Sequence, residues 1–279
     1  CNVGARFNKT GCSTITFSTC SNASGCPSSI ISLAFLMLIL LFTILIMATS
    51  VYGAIAQQTT DFDELMHKYQ LVDIRDVAPD ILVELKYSTK DNFVGMDMYG
   101  ELERAYLEKG FADRVVEAQK ILKRRNSNYT LLIYDAARPI SVQRTMYECV
   151  KGTNLERFVA NGTRGGRHNY GVAVDLTIAT NDGIPLDMGT EFDNFTDAAS
   201  VKGSPDTSDA STRTIFIYRD YVNSLAARGV ISFEAAQNRI LLLEIMLEAG
   251  LYPYRREWWH YEDIMSMESV RTKYKLLDF

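Results

Sequence analysis

The sequence contains no charged residue between Lys9 and Asp61, although charged residues make up 23% of its 279 positions. Within this gap, residues 30–49 (IISLAFLMLILLFTILIMAT) form a nearly continuous apolar run. As a helix rising about 1.5 Å per residue, such a run can cross the roughly 30 Å hydrocarbon core of a bilayer. The small residues of AIA at 54–56 follow, as at a signal-peptidase site. Residues 30–56 are therefore interpreted as a cleaved signal peptide or an uncleaved membrane anchor, and less readily as a buried core helix.

Both main interpretations predict export. Each places residues 57–279 in the periplasm or elsewhere outside the cytoplasmic membrane, still attached to it if the hydrophobic helix is not cleaved. Residues 1–29 show no pattern that assigns them a fold. We therefore expect an unassigned leader at 1–29, a signal peptide or anchor at 30–56, and a folded domain at 57–279.

Cysteine is scarce in the expected domain. Four of the five cysteines precede the apolar run, so Cys149 has no partner within 57–279 and no disulfide is expected there. Basic residues are not in excess either, because two of the 29 precede the run whereas all 34 acidic residues follow it. The domain is acidic and lacks the basic footprint of a nucleic-acid-binding protein. Nothing in the sequence predicts an oligomeric state.

Hydrophobic periodicity predicts a domain of mixed helices and strands without internal repeats. Helices are predicted in DFDELMHKYQL, YLEKGFADRVVEAQKILKRRN, SVQRTMYECVK and SFEAAQNRILLLEIMLEAG. An Asp begins the first of these and Gly250 ends the last. Strands are predicted in ILVELKYS, YTLLIYDAARP, VAVDLTI and RREWWHYED. Residues 182–212 are rich in Gly, Pro, Ser, Asp and Thr and are predicted to form a long loop, a feature that is often functional.

Histidine is rare, with three residues in the chain, and one of them lies in RHNYGVAVDL. A helix would place His168 and Asp175 about 10 Å apart along its axis, too far to share an ion whose bonds are near 2 Å. In an uninterrupted strand their odd offset would put them on opposite faces. A turn or bulge at Gly171 would bring them together. The spacing permits a shared site but does not require one, since a loop histidine and a strand aspartate are common structural residues.

A second cluster, EWWH, places Glu257 three positions before His260. Two histidines and one carboxylate form the protein ligand set of a catalytic zinc site, in which water takes the fourth position. Another carboxylate that does not bind the metal can accept the proton from that water. His168, Asp175, His260 and Glu257 supply such a set. The two tryptophans of the cluster are equally compatible with ordinary core packing.

Two further residues have competing interpretations. Arg138 follows the strand predicted in YTLLIYDAARP and could simply pair with Asp135. It could also stabilise the oxyanion formed when water attacks a carbonyl, a task suited to a planar and permanently charged guanidinium. His67 lies in a predicted helix without a partner motif, so we expect it to be exposed and inert.

The segments RHNYGVAVDLT and EWWHYE resemble the SxHxxGxAxD and ExWH signatures of the zinc D-Ala-D-Ala peptidases. The wider agreement is with the D-alanyl-D-alanine dipeptidase family, which includes the vancomycin-resistance dipeptidase. Further matching blocks are ELKYSTKDNFVG, IYDAARP, DMGTEFDNF and QNRILLLEIMLEAGLYPYRREWWHYE. The resemblance covers roughly Val72 to Asp263, nearly all of the domain and none of the leader.

This resemblance implies an α+β fold in which helices flank a small central antiparallel sheet, as in hedgehog-like D,D-peptidases. Here the N-terminal hydrophobic helix would precede it, and the domain at 57–279 would be a zinc dipeptidase domain. One zinc ion per chain is implied, with His168, Asp175 and His260 as ligands. Glu257 is implied as the general base and later proton donor, and Arg138 as the oxyanion stabiliser. Asp193 is implied to lie near the substrate's free ammonium.

The implied activity is zinc-dependent hydrolysis of the D-Ala-D-Ala dipeptide to two D-alanines. A zinc D,D-carboxypeptidase acting on cell-wall peptides is the main alternative. A non-catalytic, zinc-stabilised binding module of the envelope is less favoured, because Glu257 and Arg138 are present. Two departures from the family pattern, Gly166 in place of a serine and Tyr170 in place of a common arginine, bear on substrate preference and leave the implied ligands and base intact.

Overall fold

The computed structural model describes residues 61–202 and 215–279. These residues belong to one compact unit, Thr59–Phe279. Among them, no helix is both long and apolar enough to cross a bilayer. The leader and the hydrophobic helix predicted at 30–56 lie outside the described residues, so the domain boundaries and export stay predictions.

The described residues form a mixed α+β fold, as predicted, with seven α-helices. The helices are α1 Phe62–Lys68, α2 Ile74–Val77, α3 Lys109–Arg125, α4 Ile140–Val150, α5 Ile215–Ala227, α6 Phe233–Glu248 and α7 Met267–Lys273. The strands are β1 Val72–Asp73, β2 Leu82–Val83, β3 Tyr106–Leu107, β4 Tyr129–Asp135, β5 Ala173–Thr180, β6 Tyr252–Pro253 and β7 His260–Glu262. Strands β1 and β3 pair with each other, and the other five form one sheet in the order β2-β4-β5-β7-β6.

The larger sheet is mixed, so the prediction of an antiparallel sheet is wrong at one pair. Strands β4, β5, β7 and β6 pair antiparallel in that order, but β2 pairs parallel with β4. Helix α3 lies between β2 and β4 in the chain. Such a crossover returns the chain to the same end of the sheet, which makes the two strands parallel.

The predicted helices are stabilised by the features that their sequences indicated: a capping residue, an apolar face and a terminal glycine. The side chain of Asp61 accepts a hydrogen bond from the backbone N–H of Glu64 and caps α1. In α3 the apolar side chains that recur at helical spacing are all inaccessible to solvent: Phe111, Val115, Ala118 and Leu122. Helix α6 stops just before Gly250, whose φ of +77° is typical of a glycine beyond a helix end.

Strand lengths were less predictable. In ILVELKYS only Leu82–Val83 is a strand, and a 3₁₀ turn at Lys86–Ser88 follows. In RREWWHYED only His260–Glu262 is a strand. Within the predicted loop at 182–212, the described part contains a single short 3₁₀ turn, Asp197–Ala199.

Gly171 forms the turn that, according to the sequence, would bring His168 and Asp175 together. It has a left-handed φ of +69° and follows the 3₁₀ turn Arg167–Tyr170. A Cβ atom at this position would lie 3.0 Å from the backbone nitrogen of Glu108. The position therefore favours glycine both by conformation and by space.

We expect Gly171→Ala to lower the free energy of unfolding by about 1–3 kcal/mol, because it adds strain at a left-handed position and a steric contact. Urea denaturation measures this change. Gly229→Ala is the matched control, since Gly229 has the same φ of +69° but no atom within 4 Å of the added Cβ. An equal loss in both variants would show that close packing at Gly171 contributes nothing.

Candidate metal centre

One row of cross-strand partners places the polar residues of the candidate site side by side. Asp175 in β5 pairs with His260 in β7 on one side and with Asp135 in β4 on the other. The register between β4 and β5 shifts just before Asp135, and such irregularities turn side chains toward sites at sheet ends. Residues from three separate sequence motifs therefore meet at one end of the sheet.

His168 reaches the same place from the turn before β5. Its Nε2 lies 3.2 Å from Nδ1 of His260 and 3.4 Å from Oδ1 of Asp175. The same Asp175 oxygen lies 2.9 Å from Nδ1 of His260. The three donor atoms lie within 4.8 Å of one another, and in the described part of the chain this is the one such group that could hold a metal ion.

The outer contacts of both rings fix which nitrogen carries a lone pair. Nδ1 of His168 lies 2.7 Å from the carbonyl oxygen of Ala136, which can only accept, so this nitrogen bears the proton. Nε2 of His260 lies 3.2 Å from a carboxylate oxygen of Glu262 and is protonated for the same reason. The remaining nitrogens, His168 Nε2 and His260 Nδ1, are then both acceptors. In the neutral rings, two acceptors and a carboxylate facing each other need a positive charge between them, supplied either by a further proton or by a metal ion.

The donor set fits a zinc ion. Zinc–nitrogen bonds of roughly 2.0–2.1 Å in a tetrahedral arrangement separate ligand atoms by about 3.3 Å. The separations of 2.9, 3.2 and 3.4 Å between the donor atoms of His168, Asp175 and His260 are close to that value. A turn, a strand and a neighbouring strand therefore hold the donors at the spacing that such an ion requires.

The electrostatics of the cluster also favour a positive charge. Burial lowers the pKa of His260, but its hydrogen bonds with Asp175 and Glu262 outweigh that effect and raise the pKa to about 10. Burial disfavours the ionised form of Asp175, yet His168 and His260 hold the pKa of its carboxyl well below the usual value. Without a metal ion, the positive charge that this cluster stabilises is therefore a proton on His260.

Glu257 lies beside the three donors on the turn that precedes β7. Its Oε2 is 4.0 Å from Nδ1 of His260, and its side chain lines the cavity in front of the donors. No donor among the described residues forms a hydrogen bond with this carboxylate. Burial raises the pKa of Glu257 to about 7. A buried carboxyl with such a pKa can both accept and release a proton near neutral pH.

Arg138 pairs with Asp135, the first of the two interpretations that the sequence left open, and it also lies at the cavity. Its guanidinium forms an ion pair with Asp135 and donates to Oε1 of Gln143 at 2.9 Å. The same group lines the cavity and lies 4.0 Å from Oδ2 of Asp175. The pairing with Asp135 therefore holds the cation in place at the cavity wall.

Asp193 lies across the cavity on the loop predicted at 182–212. It has a positive φ of 58°, which is uncommon outside glycine. Both of its carboxylate oxygens contact the hydroxyl of Tyr87, at 3.2 and 3.0 Å. Burial and the charge of Asp175 raise the pKa of Asp193 well above its usual value.

The cavity encloses about 350 Å³, a volume suited to a small molecule. All the candidate site residues named from the sequence line it: Arg138, His168, Asp175, Asp193, Glu257 and His260. Gly166 also lines it, whereas Tyr170 does not and instead donates to the carbonyl oxygen of Arg164. Of the two departures from the family pattern, only the one at Gly166 reaches the cavity.

The remaining expectations concern residues outside the set of proposed ligands and reacting groups. His67 is exposed, as predicted, and contacts the hydroxyl of Tyr106 at 3.1 Å. Cys149 is exposed and free. Trp258 and Trp259 are both buried, and Trp259 also lines the cavity.

Three of the cavity residues that sequence reasoning did not single out contact candidate site residues: Tyr87, Gln143 and Glu262. Glu262 follows His260 by two positions in a predicted strand. Because side chains alternate between the two faces of a strand, this spacing could have placed Glu262 on the same face as His260. Tyr87 lies within a block that matches the family, but its position opposite Asp193 depends on long-range packing. Gln143 supports Arg138 from helix α4 and carries no signal in the local sequence.

Comparison with known proteins identifies the family of the chain. The family model described as D-Ala-D-Ala dipeptidase, of the M15 peptidases, matches residues 67–214 and 222–276. The D-alanyl-D-alanine dipeptidase of Escherichia coli is 30% identical over 193 residues, covering 69% of this chain and 84% of that protein. Proteins of the same name from Synechocystis and Enterococcus faecium are 26% and 27% identical, over 72% and 64% of this chain and 88% and 83% of their own lengths. The chain belongs to the D-Ala-D-Ala dipeptidase family of M15 metallopeptidases.

Proposed function

We propose that this enzyme hydrolyses D-Ala-D-Ala to two D-alanines with one zinc ion per chain, held by His168, Asp175 and His260. The convergence of two imidazole lone pairs and one carboxylate in front of a cavity carries the proposal. Two histidines with a carboxylate suit zinc, and a fourth coordination position is left for water or substrate. When bound, zinc supplies Lewis acidity, which polarises the substrate carbonyl and lowers the pKa of water toward 7.

Glu257 acts as the general base in this proposal. Its carboxylate accepts a proton from the attacking water, and the proton is then passed to the nitrogen of the departing D-alanine. The support is its buried position beside the donors and its pKa of about 7, which suits both steps near neutral pH.

Arg138 stabilises the negative charge that develops on the substrate's carbonyl oxygen. Its pairing with Asp135 and its hydrogen bond to Gln143 fix the guanidinium before the substrate arrives. A donor that is already oriented costs no reorganisation when the charge forms.

Asp193 binds the free ammonium of the dipeptide. Burial and the nearby charge of Asp175 raise the pKa of Asp193, so an ammonium partner would stabilise its ionised form. The hydroxyl of Tyr87 orients the carboxylate. The contact between Asp193 and the ammonium would select a free dipeptide over a longer peptide, which has no ammonium at that position.

We expect Glu257→Gln to lower kcat by about 10²–10⁴-fold, the usual contribution of general acid–base catalysis. Zinc content should remain at the wild-type level, because Glu257 is not one of the three ligands. Hydrolysis of D-Ala-D-Ala and metal analysis of the same preparation measure both properties. Glu101→Gln, at an exposed glutamate away from the cavity, is the control. Near-normal turnover in Glu257→Gln would remove this residue from the role of base.

We also expect the enzyme to cleave free D-Ala-D-Ala much faster than N-acetyl-D-Ala-D-Ala or a longer peptide ending in the same residues, because acylation removes the ammonium that Asp193 binds. L-Ala-L-Ala serves as the stereochemical control. In Asp193→Asn the preference for the free dipeptide should narrow, mainly through a higher KM for it. Faster cleavage of the longer peptide by the unmodified enzyme would identify a D,D-carboxypeptidase instead.

A further inference from the structure

Glu262 is neither one of the proposed ligands nor a reacting group, yet it contacts a proposed ligand. It lies two positions after His260 in β7, and because side chains alternate between the faces of a strand, both side chains lie on one face. Oε2 of Glu262 is 3.2 Å from Nε2 of His260, the ring nitrogen that faces away from Asp175. Glu262 therefore contacts the far side of the ring and does not compete for the metal position.

Arg167 holds the other oxygen of this carboxylate. Its Nη1 lies 3.3 Å from Oε1 of Glu262, and its Nη2 donates to the carbonyl oxygen of Met265 at 2.6 Å. The two side chains are only 16% and 14% exposed, so their attraction is screened less than that of a surface pair. Since Arg167 directly precedes His168, this ion pair links the turn that carries one histidine to the strand that carries the other.

We propose that Glu262 is a positioning residue of the metal centre and that Arg167 acts through it. By accepting a hydrogen bond from Nε2–H, Glu262 holds His260 in the tautomer whose Nδ1 lone pair faces His168 and Asp175. Its negative charge also makes the ring a stronger donor to a metal ion. The inference rests on the proposed function, because it requires that His260 bind the ion through Nδ1.

The test measures zinc affinity and does not depend on turnover. The full-length protein, stripped of metal, is titrated with zinc in competition with a chromophoric chelator. We expect Glu262→Ala to weaken zinc binding by about 10–100-fold, the usual effect of removing such an outer partner. Glu262→Gln should lose less affinity, because its amide oxygen still accepts the hydrogen bond from Nε2–H although it carries no charge. The absorption bands of the Co²⁺-substituted protein should shift in both variants.

Arg167→Met tests the second half of the inference. It should weaken zinc binding in the wild-type background and add little in the Glu262→Ala background, since its effect passes through the carboxylate. Thermal unfolding of each metal-free variant checks that the fold is intact, and Glu101→Gln is the matched control for loss of one negative charge. Should Glu262→Ala fail to fold, Glu262→Gln decides the question through affinity and the Co²⁺ spectrum.

Zinc affinity within twofold of wild type in a folded Glu262 variant, with an unchanged Co²⁺ spectrum, would overturn the role of Glu262. Losses that simply add in the double variant would overturn the indirect role of Arg167. If the wild-type protein binds no zinc, the proposed function itself fails, and this outcome is distinct from either of the others.

Discussion

The pairing of Asp175 with His260 across β5 and β7 is the interaction on which the site depends. These residues are 85 positions apart in the chain, and the sheet register brings the carboxylate and the ring within 2.9 Å. The next partner in the same row, Asp135, holds Arg138. A shift of one residue between β5 and β7 would turn the side chains of Asp175 and His260 to opposite faces of the sheet, and the metal site could not form.

This arrangement buries several acidic groups close together, which is unfavourable unless cations compensate them. Arg138 compensates Asp135, and Arg167 compensates Glu262. His168 and His260 compensate Asp175, whose pKa is lowered. Glu257 and Asp193 are compensated less completely, and their pKa values are raised. In the proposed mechanism Asp175 binds the metal ion, Glu257 accepts the transferred proton and Asp193 binds the substrate ammonium. In this proposal, the incomplete compensation that makes the cavity unfavourable to form is also what makes it reactive.

Sequence reasoning could identify the donors because their chemistry is rare. A chain with three histidines offers few ways to bind zinc, and Gly171 indicated the turn that brings His168 toward Asp175. Long amphipathic helices such as Lys109–Arg125 were also predictable, since each follows one period over many residues. The parallel pairing of β2 with β4 was not predictable, because a strand of two residues is too short for its sequence to indicate its direction in the sheet. Tyr87 and Gln143 were missed for a related reason: their function depends on neighbours that only the folded chain supplies.

The most direct measurement of the central claim is X-ray absorption spectroscopy at the zinc edge, combined with metal analysis of the purified protein. We predict one zinc ion per chain, with nitrogen and oxygen donors at roughly 2.0–2.2 Å, multiple scattering from two imidazoles, and no sulfur shell near 2.3 Å. His260→Ala should lose the ion. Full zinc occupancy in His260→Ala, or a spectrum with fewer than two imidazoles in the unmodified protein, would contradict the account.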